Sequence, residues 1–388
     1  MNDVTFPDVD TLRRRGTVKW TAYPADVLPL WVAETDAVTC PAVLTAVREA
    51  VDREYLGYPS QDTSALQNAT AQWYQQRYGW QPNAEHIFPV ADVVRGVVLA
   101  VKYLTAPGSA VVVPTPAYMP FFEVGPTAER DTLFVPTVQT ADYTGPDLDA
   151  LETHFKNGAG SVILSAPNNP LGFTYAPEVL RRLTDLAAQY NARVISDEIH
   201  APVVLHGKHV PTASVSETAA AVTITVTATS KGWNTAGLKC AQLILNDDDA
   251  TTWQKLPHAA REGMSTLGLV AATAAYTHGE AWLDNFLDSL RTNQETLARR
   301  LPEVAPGAKF TPNAASFLAW LDLRGVDAIA QSGVEPQQWL LDNARVAVNP
   351  GLAFGDEGAG HVRLNFATSP SILNDALDRI GNAIAAAN

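Results

Sequence analysis

A single lysine follows a stretch that has the pattern of a buried strand. Residues Val222 to Val226 are rich in β-branched side chains, and small polar residues then lead to Ser230 and Lys231. A lysine delivered from a strand end into a crowded interior is costly unless it is paired, neutral or covalently used. Held there with a lowered pKa, a lysine is the usual carrier of a Schiff base. The segment alone fits a surface lysine after a strand equally well.

Other polar residues also follow apolar runs that have the pattern of strands. They are Tyr118, Asn168, Asn169, Asp197, His200, Ser230 and Lys231. The apolar runs alternate with helical patterns, which predicts an α/β fold with a mostly parallel sheet covered by helices. Ligands bind at the carboxyl ends of the strands in such sheets. We therefore expect these side chains to form one site along that edge.

The chain changes in character along its length, which predicts three regions. Residues 1–40 are rich in Pro, Trp and Arg with little periodicity, and we interpret them as an extended N-terminal arm that contains a strand at Val27–Ala33. Residues 41–265 carry the alternating strands and helices of a large domain. Residues 266–388 combine long helical patterns with two strand patterns, which predicts a small α+β domain that includes the arm.

Composition limits the class of protein. The chain has 388 residues, of which 46% are hydrophobic and 18% charged, and its formal net charge at pH 7 is −14. This balance is ordinary for a globular enzyme, and the negative charge disfavours nucleic acid or an anionic membrane as a partner. No signal-peptide pattern and no membrane-spanning stretch are visible. With Cys40 and Cys240 as its only cysteines, we expect a reduced, cytoplasmic protein.

Four motifs together resemble those of the fold-type I pyridoxal-phosphate enzymes. They are Asn-Pro-Leu-Gly at 169–172, Ser-Asp-Glu-Ile-His at 196–200, Ser230-Lys231 with a basic residue eight positions later, and Val-Arg-Leu-Asn-Phe at 362–366. Within that superfamily the chain is most similar to the MalY/PatB group of cystathionine β-lyases and cysteine-S-conjugate β-lyases. The stretches that carry this subgroup resemblance are Leu28–Asp36, Gly57–Pro59, Trp73–Trp80, Ser196–His200 and Ser316–Asp322. The resemblance covers nearly the whole chain and implies a seven-stranded sheet in the large domain.

The resemblance implies a role for several residues around a cofactor, pyridoxal 5′-phosphate. Lys231 would hold it as a Schiff base and then serve as base and acid at the substrate Cα, while Asp197 would keep the pyridine nitrogen protonated. Asn169 would donate a hydrogen bond to the ring 3′-oxygen, and Tyr118 would stack on the ring face. Each of the last three has a structural alternative: a helix N-cap for Asp197, turn chemistry for Asn169 and an ordinary loop aromatic for Tyr118.

The same resemblance places the cofactor phosphate at the start of a helix, at Val93 and Val94, with Ser230 and Lys239 as further donors. Lys239 stands where many relatives carry arginine, so a bidentate clamp is replaced by a point charge. Asp92 stands where relatives often carry glycine or serine. Because an acid beside a phosphate is unfavourable, we expect Asp92 to cap the helix with its side chain turned away.

Three more residues complete the set that the resemblance implies. Arg363 would bind the substrate α-carboxylate together with Asn169, and a cross-strand salt bridge is the alternative. Tyr58 would reach the phosphate of the neighbouring subunit, which predicts a homodimer, or it is an ordinary strand or turn aromatic. His200 stands where many aminotransferases have a tyrosine near the 3′-oxygen, and a histidine without a role there is an equal alternative. The remaining histidines show no metal-binding spacing.

The reaction that the resemblance implies is β-elimination from a sulfur amino acid. Cystathionine would give homocysteine, pyruvate and ammonia, and other cysteine S-conjugates would give their thiols. An aminotransferase of L-amino acids is the alternative, because it needs the same Lys231, Asp197, Asn169 and Arg363 and differs only in returning a proton to the cofactor carbon. A regulatory protein that keeps the fold without turnover is a further alternative, which the intact set of four residues disfavours.

Overall fold

The computed structural model describes residues 4–387, in which helices and strands alternate over most of the length. The strands are, in chain order, β1 (Leu28–Pro29), β2 (Ile87–Val90), β3 (Val111–Thr115), β4 (Thr132–Gln139), β5 (Thr144–Pro146), β6 (Ser161–Ser165), β7 (Arg193–Asp197), β8 (Thr223–Ala228), β9 (Ala241–Ile244), β10 (Lys309–Phe310), β11 (Leu318–Asp322), β12 (Val346–Ala347), β13 (Asn349–Pro350) and β14 (His361–Asn365). The α-helices are α1 (Val9–Arg15), α2 (Val18–Thr21), α3 (Pro41–Asp52), α4 (Ser64–Tyr78), α5 (Val93–Tyr103), α6 (Val124–Thr127), α7 (Leu148–Lys156), α8 (Pro177–Gln189), α9 (Glu217–Val222), α10 (Asp247–Gln254), α11 (His258–Arg261), α12 (Thr266–His278), α13 (Glu280–Val304), α14 (Asp327–Ala330), α15 (Pro336–Trp339) and α16 (Pro370–Ala387). Residues 1–3, where the predicted arm begins, and residue 388 lie outside the described range. Within that range, no helix is both long and apolar enough to cross a membrane.

Contacts between residues divide the chain into two compact units. The larger unit comprises Thr39–Asn168 and Thr174–Leu283, and the smaller unit comprises the described residues up to Val38, Asn169–Phe173 and the residues from Asp284 onward. The division falls after Leu283 rather than at the predicted residue 265. The reason is that helix α12 packs against α3 and α4 within the larger unit.

An eight-stranded sheet with the strand order β2-β9-β8-β7-β6-β3-β4-β5 lies at the centre of the larger unit. Strands β8, β7, β6, β3 and β4 run parallel to one another, whereas β9 is antiparallel to β8 and β2, and β5 is antiparallel to β4. The predicted α/β class with a mostly parallel sheet is therefore confirmed. The sheet has one strand more than the seven expected, because β5 folds back on β4 through a turn in which Thr140 and Tyr143 exchange hydrogen bonds.

The pairing register brings the carboxyl ends of the parallel strands to one edge of this sheet. Ser165 at the end of β6 pairs with Asp197 at the end of β7, and Asp197 pairs in turn with Val226 in β8. On the other side of β8, Ala228 pairs with Ala241, the first residue of β9. Residues that follow these strand ends in the sequence therefore start from adjacent positions, as the prediction of one site requires.

Helix α5 packs closely against the sheet through an apolar face. Val97, Leu99 and Val101 are buried, and the helix contacts β7, β8 and β9. Gly96 lies at the closest approach, because a Cβ at this position would be 2.8 Å from Cγ1 of Val226. Any larger residue would push the helix away from β8. The glycine therefore helps to set the height of the first turn of α5 above the strand ends.

The smaller unit has the predicted α+β composition. Its strands form an antiparallel sheet with the order β10-β11-β14-β13 and a separate parallel pair of β1 with β12. The N-terminal segment is not the extended arm predicted, because α1 and α2 form there. Asp8 begins α1 by accepting a hydrogen bond from the Thr11 amide at 2.8 Å, and Gly16 ends it in the left-handed conformation with φ 69°.

The strand predicted at Val27–Ala33 is also shorter in the structure, where it covers Leu28–Pro29 alone. The chain beyond it is held by isolated backbone hydrogen bonds, such as that from the Leu30 amide to the Ala347 carbonyl oxygen at 2.8 Å, and by side chains. Lys19 Nζ lies 2.8 Å from Oδ2 of Asp36, with both side chains at most 1% exposed, and Trp20 Nε1 donates to the other carboxylate oxygen at 2.7 Å. Loss of either charge would leave the other buried without its partner, which typically costs about 3–5 kcal/mol.

Candidate active site

The loop after β8 presents Lys231 from a position that aromatic packing fixes. Lys231 is half-buried, and two residues further on Trp233 is fully buried. The indole Nε1 of Trp233 donates to the carbonyl oxygen of Gly279 at 3.0 Å. The same ring packs against Trp73 and Tyr276, with centroid distances of 5.1 and 5.6 Å. The lysine therefore lies after a strand end, as predicted from the sequence, and close in the chain to a tryptophan that its packing holds in place.

Asp197 ends β7 as a carboxyl group that is 4% exposed. Its Oδ1 accepts a hydrogen bond from the Ile199 amide at 3.0 Å, and because a turn and not a helix follows, the helix N-cap alternative is wrong. Burial raises the pKa of Asp197 to about 7, although the Ile199 N–H and the positive charge of Lys231 oppose the rise. A carboxyl group in this state is strongly stabilised as an anion by any further cation that binds beside it.

A second buried acid, Glu198, adjoins Asp197 in the chain. Its carboxylate accepts hydrogen bonds from Tyr74 Oη at 3.2 Å, Ser196 Oγ at 3.1 Å and the Thr212 amide at 3.0 Å, and it lies 3.0 Å from His209 Nε2. The negative charge of Glu198 contributes to the raised pKa of Asp197. The sequence does not predict this network, because its members come from separate elements and follow no motif. The run Ser196–His200 contains Glu198 but gives no sign of its partners.

Tyr118, His200 and Asn168 lie after the strand ends as predicted. Tyr118 is half-buried, with its ring edge-on to Phe121 at a centroid distance of 5.6 Å. His200 lies in the turn after β7 and is 2% exposed. Asn168 is 4% exposed, and its side chain hydrogen-bonds to the buried Tyr175. The contacts of these residues with a cofactor stay a prediction.

Asp92 caps helix α5, as expected. Its Oδ1 accepts a hydrogen bond from the Arg95 amide at 2.8 Å, and its Oδ2 lies 2.8 Å from Nζ of Lys239. Burial opposes ionisation, but the contacts with Lys239 and Arg95 outweigh it and hold the pKa of Asp92 below its usual value. Val93 and Val94 form the first turn, where amide groups have no partner within the helix. Lys239, expected at a phosphate, is thus paired with an acid.

The strand register explains this pairing. The first residue of β9 pairs with the last residue of β2 on one side and with the last residue of β8 on the other. Asp92 and Ser230 each follow their strand by two residues, and Lys239 precedes β9 by two. All three therefore emerge at the same edge of the sheet, so the predicted phosphate-binding residues are brought together by backbone pairing.

In the smaller unit, Arg363 lies in the middle of β14 and is 2% exposed. Its Nη1 donates to Asn169 Oδ1 at 3.1 Å, and its Nη2 donates to Asn349 Oδ1 at 2.7 Å and to the Trp31 carbonyl oxygen at 3.3 Å. The guanidinium carbon lies 4.8 Å from the ring centroid of Phe354. These bonds orient the guanidinium, whose forked donor geometry suits a carboxylate ligand. The sequence predicts Arg363 and Asn169, whereas no local signal indicates Asn349.

Tyr58 lies on a loop of the larger unit, and 97% of its side chain is exposed. The loop itself is held, because the preceding carbonyl oxygen, of Gly57, accepts a hydrogen bond from the Thr266 hydroxyl at 2.7 Å. A tyrosine this exposed contributes little packing within one chain. Its role at a neighbouring subunit stays a prediction.

Comparisons with known proteins agree with the predicted resemblance. The sequence profile of the aminotransferase class I and II family matches residues 26–380. A cystathionine β-lyase of Corynebacterium glutamicum is 44% identical over 380 residues, which cover 98% of this chain and 100% of that protein. A crystal structure from Corynebacterium diphtheriae, assigned as a PLP-dependent β-cystathionase, is similar with a TM-score of 0.93 and 46% identity over 98% of this chain and 99% of that one. A PLP-bound C–S lyase of Staphylococcus hominis is similar with a TM-score of 0.89 and 27% identity over 100% and 99%.

The raised pKa of Asp197 predicts how the stability of the cofactor-free protein depends on pH. The folded protein holds this proton up to about pH 7, whereas the unfolded chain releases it near the ordinary carboxyl pKa of 3.8. The folded state therefore binds more protons in this window, and its free energy of unfolding falls as pH rises. Between pH 5 and 8, the wild type should lose about 2–3 kcal/mol relative to Asp197→Asn, measured by urea unfolding.

The matched control is Asp322→Asn, since its neighbour Arg324 lowers the pKa of Asp322 to about 2 despite partial burial. Asp322 is ionised in both the folded and the unfolded protein between pH 5 and 8. The free energy of unfolding of Asp322→Asn should therefore change with pH in parallel with that of the wild type. An Asp197→Asn curve that also ran parallel to the wild type would contradict the raised pKa.

Proposed function

Because the chain belongs to the aminotransferase class I and II family, we propose that it is a pyridoxal-phosphate-dependent carbon–sulfur lyase. Its substrates are cystathionine or related cysteine S-conjugates, and its products are a thiol, pyruvate and ammonia, with homocysteine as the thiol from cystathionine. The observation that carries the proposal is the position of the buried Asp197 at the end of β7 and of Lys231 just after the neighbouring strand β8. The cystathionine β-lyase that is similar over the full length supports the substrate class.

The residues at this edge of the sheet fit the chemical groups of pyridoxal 5′-phosphate. Its aldehyde needs an amine, its ring nitrogen needs an anion, and its phosphate needs amide donors with positive charge nearby. Lys231 and Asp197 supply the first two, and the first turn of α5 with Ser230 and Lys239 supplies the third. When bound, the cofactor provides an electron sink for the charge left on the substrate after loss of the Cα proton.

Lys231 and Asp197 divide the proton chemistry between them. Nζ of Lys231, as a neutral amine, takes the proton from the substrate Cα. The Asp197 carboxylate would hold a proton on the ring nitrogen, and its electrostatic attraction would be strong because the carboxylate is shielded from water. A positive charge on that nitrogen would lower the pKa of Asp197, as the Lys231 charge does. Cofactor binding and ionisation of Asp197 therefore favour each other.

Arg363 is assigned to the substrate α-carboxylate, and Asn169 is assigned both to that carboxylate and to the 3′-oxygen of the cofactor. The bonds from Arg363 to Asn169 and Asn349 support the first assignment, because they orient the guanidinium before substrate arrives. Pre-orientation lowers the entropy cost of binding. Tyr118 is assigned to the ring face and His200 to the neighbourhood of the 3′-oxygen, on the family resemblance alone.

We also propose that two copies of the chain form a homodimer in the cytoplasm and that Tyr58 completes the phosphate site of the partner copy. Tyr58 and Leu56 are 97% and 62% exposed on one loop. Beside this loop lies an open groove of about 710 Å³ between α3, α4 and α12, lined mainly by apolar surface. A symmetric dimer that covered this face would remove these side chains from water, which is the common reason for such exposure.

Turnover of L-cystathionine tests the proposed reaction. The purified protein with pyridoxal phosphate should release homocysteine, detected as free thiol, and pyruvate, detected with lactate dehydrogenase and NADH. Arg363→Lys should retain activity but raise KM by about tenfold or more. The reason is that an ammonium group cannot make the two parallel hydrogen bonds that a guanidinium makes to a carboxylate. The matched control Arg324→Lys changes an exposed arginine of the same unit and should leave KM unchanged.

The aminotransferase alternative predicts a different outcome in the same assay. An amino acid without a leaving group on Cβ, such as L-alanine, would then convert the cofactor to its amine form, and L-cystathionine would yield no thiol. Absence of both thiol and pyruvate from L-cystathionine would contradict the lyase proposal.

Subunit complementation tests the role of Tyr58. Lys231→Ala and Tyr58→Ala proteins are each expected to show little activity. Co-expressed, they should regain about a quarter of the wild-type activity, because half of the dimers are mixed and each mixed dimer has one site with both residues intact. No gain over the separate variants, or a monomer by light scattering, would show that Tyr58 does not act across subunits.

A further inference from the structure

The ion pair of Asp92 with Lys239 lies within the proposed phosphate site. Both residues emerge from the edge where β2, β9 and β8 end, next to the first turn of α5. Each carboxylate oxygen of Asp92 has a partner: Oδ1 accepts from the Arg95 amide and Oδ2 pairs with Lys239 Nζ, both at 2.8 Å. The side chains are 57% exposed for Lys239 and 36% for Asp92. The ammonium is therefore engaged but reachable from solvent.

Lys239 is also fixed at the level of its backbone. It adopts the left-handed conformation with φ 49° and ψ 68°, and its carbonyl oxygen accepts from the Ser265 amide at 2.9 Å. The direction in which its side chain leaves the backbone is thus constrained. An anion that binds at the first turn of α5 meets Lys239 while the lysine is already paired with an acid.

We propose that Asp92 competes with the cofactor phosphate for Lys239 and so lowers the affinity of this chain for pyridoxal phosphate. The inference rests on the proposed function and concerns the chain's own residues at that site. Binding of a phosphate must either draw Lys239 away from Asp92 or place two anions around one ammonium. Both cost affinity compared with a chain that has a neutral residue at position 92.

An opposite effect, in which Asp92 helps by holding Lys239 in place, is smaller. Exposed ion pairs contribute a factor of about five or less to an equilibrium constant. A lysine shared between two anions attracts the phosphate less than a lysine without an acid beside it, and such a change in one charge contact at a partly exposed site alters a dissociation constant by about tenfold. The competition therefore dominates, and it makes cofactor loading of this protein reversible at concentrations where a tighter site would stay filled.

The experiment compares cofactor binding by the wild type and Asp92→Asn. Asparagine caps a helix as well as aspartate does, so the substitution removes the charge and keeps the cap. Cofactor-free full-length protein is titrated with pyridoxal 5′-phosphate, followed by absorption and tryptophan fluorescence. Asp92→Asn should lower the dissociation constant by about five- to tenfold. Affinity for pyridoxal, which has no phosphate, should not change. An equal or larger dissociation constant for the phosphate form would overturn the proposal.

Lys239→Met and the double variant separate competition from simple repulsion. Lys239→Met should weaken binding of pyridoxal phosphate, and the gain from Asp92→Asn should be smaller in its background, because no lysine is left to release. An undiminished gain would show that Asp92 only repels the phosphate, which would overturn the competition. A protein that took up no pyridoxal phosphate at all would instead contradict the proposed function, so the two failures are distinguishable.

Discussion

The burial of one carboxyl group, Asp197, is the constraint on which the rest of the site depends. An ionised group in such surroundings costs several kcal/mol unless other charges and donors compensate. The structure compensates only in part: the Ile199 amide and Lys231 favour the anion, whereas burial and Glu198 oppose it and leave the pKa near 7. In the proposed site, a cofactor with a basic ring nitrogen would supply a cation beside Asp197, and the buried acid would in turn keep that nitrogen protonated.

The register of the sheet brings the residues of the proposed site to one edge. Parallel pairing aligns the ends of β6, β7 and β8, so Asp197 and Lys231 start from neighbouring strands. The antiparallel strand β9 starts at the same edge, so Lys239, which precedes it by two residues, lies beside Asp92 at the cap of α5. One backbone arrangement therefore serves both the ring and the phosphate ends of the proposed cofactor site. The approach of α5 to the sheet depends in addition on the missing side chain of Gly96.

Sequence patterns predict the parts of this structure that depend on local order. The placement of Lys231 and Asp197 follows from apolar runs that end in polar residues, and the fold class follows from their alternation with helices. Contacts between distant segments leave no such pattern, which is why the buried pair of Glu198 with His209 and the bond from Arg363 to Asn349 are not predictable. The short helices α1 and α2 are not predicted, because they have too few turns to show a periodic pattern of apolar residues. The division of the chain depends on helix packing of α12, which composition does not reveal.

The most direct test of the central claim is to find the residue to which the cofactor is attached. The purified protein is reduced with borohydride, digested and analysed by mass spectrometry, beside a Lys231→Ala control. The account predicts a pyridoxyl group on the peptide that contains Lys231, together with loss of the visible absorption band, and no modified peptide in the control. Modification at another lysine, or a protein that binds no pyridoxal phosphate, would contradict the assignment of Lys231 and Asp197 as the centre of the site.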